Sequence, residues 1–397
     1  MRGMRPGGWS IGIALLVACG PAIPPLPSRG GPAWLEVQSQ HFTLWTDAPS
    51  RRAHELMREM ELRRQLLVTA MKHAPSEAGA FVIALGSSRE TGEYLPGNAI
   101  AVAWDARNPA GQPGILLAAN HEDQDHVVSH ELTHVISFGF LRNQPRWLAE
   151  GIATYFEMVD LEFDQSSVQL GIPREDRAAA LRAAPPLRAT RLFACKEPSC
   201  ADGLFYATSW ALFSFLINQR FDQLGRYLQR LNELPDDRQA EAWAEAFPDL
   251  SPDRLDDELS EWLISGKAAL PRIAVAVRDV PTRERPLGDA DALAARSLLD
   301  LQFKGVEPAS ITAAEALAID RRNLLARLID TEITHAIAPT DARATAAAYP
   351  DDWRAWRLVE LAVKDRAEAA AARARVCALT GNGAPGCARG GGRDASP

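Results

Sequence analysis

Two histidines four residues apart enclose a glutamate in the run His130-Glu131-Leu132-Thr133-His134. Four of the chain's eight histidines fall between His121 and His134, and that clustering is the first local sign of chemistry. On a helix, residues four apart are offset by about 40° and stacked about 6 Å along the axis. Two imidazoles so placed can converge on one metal ion, and zinc takes nitrogen or oxygen ligands at about 2.0–2.1 Å in a tetrahedral arrangement. Glu131 is rotated off the line joining the histidines, so it can face the open coordination position and take a proton from water. One helix cannot supply three groups to such a site, so the third ligand must come from elsewhere. Glu150 lies in the first turns of a helix that Pro145 opens, and it can supply an oxygen. The intervening loop, Gly139 to Gln144, is short enough to make the two helices neighbours. This reading places one Zn2+ per chain on His130, His134 and Glu150, with Glu131 as general base.

Such residues need elements to hold them. Val127, Val128, Val135, Ile136 and Phe138 surround the motif with apolar side chains, as a buried helix over Asp125–Phe138 requires. Upstream, Trp34–Val37 and His41–Thr46 alternate apolar and polar residues as half-buried strands do. Arg51–Met71 carries apolar residues at helical spacing. Phe81–Leu85, Ile100–Trp104 and Ile115–Ala118 fit short strands, with a turn over Asn108–Gly114. Gly203 to about Lys267 is helical in pattern, Ile273–Val277 is a brief β-like run, and Leu287 to Ala378 is Ala- and Leu-rich with helical periodicity. No firm repeat period emerges there, so it reads as a helical bundle or degenerate repeat array. Trp353 and Trp356, three apart, are expected in its core.

HExxH followed by Trp147-Leu148-x-Glu150-Gly151-x-Ala153-x-Tyr155 resembles the gluzincin signature of thermolysin-like and aminopeptidase-like zinc peptidases. The chain is most similar to the bacterial peptidase MA-like domain family, over about Trp34 to Lys267. The resemblance implies zinc ligands at His130, His134 and Glu150 and a general base at Glu131. It also offers Tyr206, on a helix reading "YATSWALFSFL", to stabilise the oxyanion. Read from its own surroundings, Tyr206 fits an amphipathic core tyrosine equally well. Two features depart from the pattern. Only 15 residues separate His134 from Glu150, and no exopeptidase motif for gripping a substrate N-terminus is present, so an endopeptidase is expected.

The resulting fold class is α+β. A thermolysin-like zincin catalytic domain, with a small mixed sheet, an active-site helix and a helical C-terminal subdomain, spans 33–270. An all-α, repeat-like domain follows over 285–388, and a polar disordered tail over 389–397. The extended segment Gly114–Asn120 is expected to pair with substrate backbone as an added strand. Glu157 reads equally as an acid orienting a zinc-bound histidine and as a surface acid. His126 reads as a surface residue; His121, Glu122, Asp123 and Asp125 read as a solvated loop, and Tyr155 as packing.

Arg2 and Arg5, a short apolar stretch from Trp9 to Ala18, and Leu16-Val17-Ala18-Cys19 form the pattern of a bacterial lipoprotein signal over 1–18, with Cys19 lipidated. Residues 19–32, rich in Pro, Gly and Ser, then tether the body to the membrane. The expected location is the cell envelope, the outer membrane or facing the periplasm. Four further cysteines suggest disulfides in an exported chain. Cys195–Cys200 and Cys377–Cys387 each close a short loop and are favoured among three connectivities. A net charge of −8 excludes a generic nucleic-acid binder, because phosphate contact needs clustered Lys and Arg. The expected partners are a peptide or protein substrate, the membrane through the lipid, and a protein docking at the C-terminal helices. The competing reading is a non-catalytic envelope scaffold with a structural or vestigial metal site.

Overall fold

Strand alternation divides the apolar residues of the first third of the chain into two sets, and the structure uses both. It is a computed structural model that describes residues 23–72, 79–95, 99–105, 112–121, 124–141, 143–159, 167–380 and 387. The expected signal segment and Cys19, the start of the tether, Glu122 and Asp123, most of the 108–114 turn and the tail over 389–397 lie outside these residues.

The chain is mixed α+β and mostly helical. It runs β1 (Trp34–Gln38), β2 (Phe42–Thr46), α1 (Ser50–Met71), β3 (Ala80–Leu85), α2 (Ser88–Gly92), β4 (Ala101–Trp104), β5 (Gly114–Ala118), α3 (Gln124–Phe138) and α4 (Arg146–Phe156). There follow β6 (Ser167–Gln169), α5 (Glu175–Ala183), α6 (Ala189–Ala194), α7 (Gly203–Gln219), α8 (Phe221–Glu233), α9 (Gln239–Ala246), α10 (Pro252–Ser265), β7 (Arg272–Ala274) and β8 (Arg283–Leu287). Six helices finish the described chain: α11 (Asp289–Phe303), α12 (Val306–Ile319), α13 (Leu324–Thr334), α14 (Pro339–Ala348), α15 (Trp353–Ala362) and α16 (Arg366–Leu379).

Six strands form one sheet in the order β4-β5-β3-β2-β1-β8. The pairs β2–β3 and β3–β5 are parallel and the others antiparallel. Because side chains alternate along a strand, Val37, Leu44, Val82 and Leu117 point to one face, where α1, α3 and α4 complete a core. Trp34, Trp45, Ile83 and Leu116 point to the other, where α11, α12 and α13 complete a second. The helical region after residue 285 thus shares a core with the sheet. Gly114 sits where a Cβ would lie 2.2 Å from the Trp104 ring, so the β4–β5 pair closes only around glycine.

Two expectations about strands change. Gly114–Asn120 is not available to a substrate, because β5 is hydrogen-bonded to β3 on one side and β4 on the other. The free edge belongs to β4. At the opposite edge lies β8, which sequence pattern does not announce: Arg283-Glu284-Arg285-Pro286-Leu287 has no apolar alternation. Pairing with β1 makes it a strand, a case of tertiary context overriding propensity. The β-like run near Ile273 is real but shorter, and β7 pairs with β6 in a separate two-stranded sheet.

Both local disulfides are formed, Cys195–Cys200 and Cys377–Cys387. No described helix is long and apolar enough to cross a membrane.

Candidate metal centre

The sequence folds the site from three helices. α3 packs between α1 and α4, with Val128, Leu132, Val135 and Ile136 buried. This turns His130 and His134 toward Glu150 of α4 and Tyr206 of α7, and Glu131 toward β4 and β5. Pro145, with φ −59° and ψ 145°, holds extended backbone immediately before α4. Gly151, next to Glu150, lets α7 approach closely, since a Cβ there would lie 2.6 Å from the Ser209 carbonyl oxygen. The Asp202 side chain caps α7 by accepting from the Phe205 N–H at 2.8 Å, which sets Tyr206 in the first turn.

The structure brings His130, His134 and Glu150 together. Nε2 of His130 and Nε2 of His134 are 3.2 Å apart. Glu150 Oε2 is 3.3 Å from the first and 3.4 Å from the second. A tetrahedral ion with ligands at about 2.0–2.1 Å separates any two of them by about 3.3–3.4 Å. Three donors from two helices therefore already mark three corners of such a tetrahedron. The donor chemistry agrees: Glu150 Oε2 is buried and has no hydrogen-bond partner, which is costly unless a cation is meant to meet it. This residue set fits a zinc ion, and among the described residues it is the group of His, Cys, Asp and Glu side chains that could hold a metal.

Glu157 proves to be buried and bonded, not a surface acid. Its Oε2 lies 3.2 Å from His130 Nδ1, so it fixes the ring and leaves Nε2 free to ligate. Arg177 of α5 stands 3.6 Å from the other Glu157 oxygen, and Arg146 of α4 stands 3.4 Å from Glu150 Oε1. Burial works against a charged imidazole, yet the carboxylates of Glu150 and Glu157 beside it overrule that and raise His130 to about 10. Burial likewise works against a charged Glu150, but the two histidines hold its carboxyl far below the usual range. The first shift reports the carboxylates around His130, and the second reports the two imidazoles beside Glu150.

Glu131 is nearly buried and lines a small hollow with Ile100, Ala101, Ala118 and Val127, between α3 and the β4–β5 pair. Tyr206 lies beside these side chains, its ring centre 6.3 Å from that of His130. Burial, with Glu150 nearby, pushes its phenol up, so it stays protonated and able to donate. Tyr155 packs against Phe156 and Phe213, as expected. Arg146 and Arg177 escaped the sequence reading. Arg146 had a signal, since it stands four residues before Glu150, the spacing of an ion pair on one helix face; Arg177 comes from a separate helix and had none.

A family model described only as a protein of unknown function (DUF1570) matches residues 126–235, the segment that holds this site. No curated protein matches the chain.

Proposed function

We propose that the chain is a zinc-dependent endopeptidase of gluzincin type, with a thermolysin-like arrangement of sheet and active-site helix, acting in the bacterial cell envelope. The carrying observation is the triangle of Nε2, Nε2 and Oε2 at 3.2–3.4 Å with Glu131 beside it. When bound, zinc supplies a positive centre that acidifies water and polarises a carbonyl. Glu131 accepts the proton of the attacking water and passes it to the leaving amine. Tyr206 donates to the oxygen on which negative charge develops. Glu157 keeps the His130 ring in its tautomer and orientation.

The sheet supports a peptide as substrate. Ala118 N–H donates to Ile100 O, which places residues 100, 102 and 104 in the hydrogen-bonded pairs with β5. The N–H and C=O of Ala101 and Ala103 then face outward along the free edge. An extended peptide added there would run past the Glu131 hollow. Lipidation at Cys19 and an envelope location follow from the N-terminal pattern. The two disulfides favour an oxidising compartment. The C-terminal helices remain the proposed surface for a protein partner.

A peptide-library screen of the full chain tests the reading. Cleavage that a chelator abolishes and added zinc restores is the expected result. A zinc-loaded chain that cleaves nothing, or a fourth protein ligand on the metal, would favour the scaffold reading instead.

A further inference from the structure

From Pro24 onward the segment expected to be a free tether is docked on α11. Arg296 Nη2 donates to the Pro24 carbonyl oxygen at 2.9 Å. Leu26 is buried in the core that α11 shares with the sheet. Two helical turns toward the start of α11, the Ser28 N–H donates to Asp289 Oδ1 at 3.0 Å, and the Ser28 hydroxyl donates to the other Asp289 oxygen. The docking shortens the reach of any lipid on Cys19. Pro24 follows Cys19 by five residues, a span of at most about 18 Å, where a free stretch over 19–32 would reach about 50 Å. Since α11 is itself about 22 Å long, a bilayer holding that lipid must meet the body close to this strap.

Two further pieces of chain come to the same end of α11. The Asn323 amide donates to Asp291 Oδ1 at 2.8 Å, which seats the loop between α12 and α13 there. The two-residue connection after α11 turns α12 back beside it, so Ile319, the last residue of α12, arrives there as well. Arg29, Ile319, Arg321 and Arg322 are exposed. The acids of this end are engaged locally: Asp289 with Ser28, Asp291 with Gly288 and Asn323, and Asp320 with the Arg322 N–H. Guanidiniums pair with phosphate oxygens, and an apolar side chain among them suits the level where headgroups meet acyl chains.

We propose that Arg29, Ile319, Arg321 and Arg322 form a surface that lies on phospholipid headgroups. The bilayer then meets the body on the α11 face of the sheet, and the metal centre stands on the other face, toward substrates in the aqueous compartment. The proposal rests on lipidation of Cys19, and its test separates the two. The full chain is made in a bacterial host, mass spectrometry reads acylation of Cys19, and the protein is placed on vesicles of phosphatidylethanolamine and phosphatidylglycerol. A fluorophore is attached through Ile319→Cys or, as the control, Ile264→Cys. Both positions are open to solvent, 54% and 86% exposed, but Ile264 lies on α10, which packs against α6 and α7.

Lipids carrying a shallow quencher should extinguish the label at 319 and leave the label at 264 bright. Replacing Arg29, Arg321 and Arg322 together by Glu should relieve the quenching at 319 while the protein stays on the vesicles. Equal quenching at both positions, quenching at 264 alone, or a triple variant quenched like the parent would overturn the proposal. An acylated, vesicle-bound chain whose label at 319 stays bright refutes this surface and leaves the lipid anchor standing. A chain with unmodified Cys19 refutes both.

Discussion

The two faces of the sheet each carry a buried ionic cluster, and the clusters are built on opposite plans. Toward α11, Arg296 Nε meets Glu90 Oε1 at 2.8 Å, with both side chains nearly inaccessible, and a further N–H of Arg296 donates to the Pro24 carbonyl oxygen. That cluster contains its own cation. Toward α4, the donor atoms of His130, His134 and Glu150 converge, while Arg146 and Arg177 stand by the other oxygens of Glu150 and Glu157. The first cluster sets a guanidinium directly against its carboxylate; in the second, three donor atoms face one another across a common point. Burial and charge alone mark both, so the direction in which lone pairs point separates a ligand site from a structural pair.

Substitutions can break this contrast, beginning with the largest effect. Glu150→Ala removes one of three ligands, so elemental analysis should find zinc lost together with all activity, while the fold persists. Undiminished zinc would refute the third-ligand assignment. Arg296→Ala acts oppositely. It leaves Glu90 buried without its partner and should cost about 3–5 kcal/mol of stability in denaturant unfolding. Zinc content at temperatures where the variant stays folded should match the parent.

The sheet edges offer a third test. β8 is blunted by Arg283, Glu284, Arg285 and Pro286, whereas β4 reads Ala-Val-Ala-Trp and carries no such guard. Ala103→Pro removes one outward N–H and spares the β5 ladder, so KM should rise about tenfold with zinc unchanged. An unchanged KM would remove β4 from substrate binding.

The smallest effect concerns Asp47, near the Arg296 cluster. Burial raises its carboxyl pKa, although the Gly86 N–H and Arg296 oppose the shift. The fold therefore favours the neutral form, and the cost of the charged form grows as pH rises from the unfolded value of about 3.9 through the raised folded value. Asp47→Asn, which can still accept from Gly86, should be more stable than the parent at pH 7. That advantage should shrink in thermal melts as pH is lowered toward 4. A constant difference would contradict the assignment.

Much of the site was legible because its information is local. His130, Glu131 and His134 need only helical periodicity, and Pro145 with Glu150 needs only a short loop. The β5 run Gly-Ile-Leu-Leu-Ala was itself a sign of an internal strand, since both its faces are apolar. What was not legible depends on contacts between distant elements. Arg283–Leu287 is a strand because β1 accepts it, and the Glu157 carboxylate meets an imidazole 27 residues earlier in the chain. Arg177 reaches Tyr206 only through the docking of α5 on α7. The sharing of the sheet by the C-terminal helices lay beyond local pattern as well, because alternating strands announce two apolar faces without naming what covers them.

The most direct measurement compares the parent with Glu131→Gln, zinc-loaded, for zinc content and cleavage of the same peptide. Losing a general base costs about 10²–10⁴-fold in rate. The account predicts equal zinc in both proteins and a loss of at least that order in the variant. Equal cleavage by the two would contradict it.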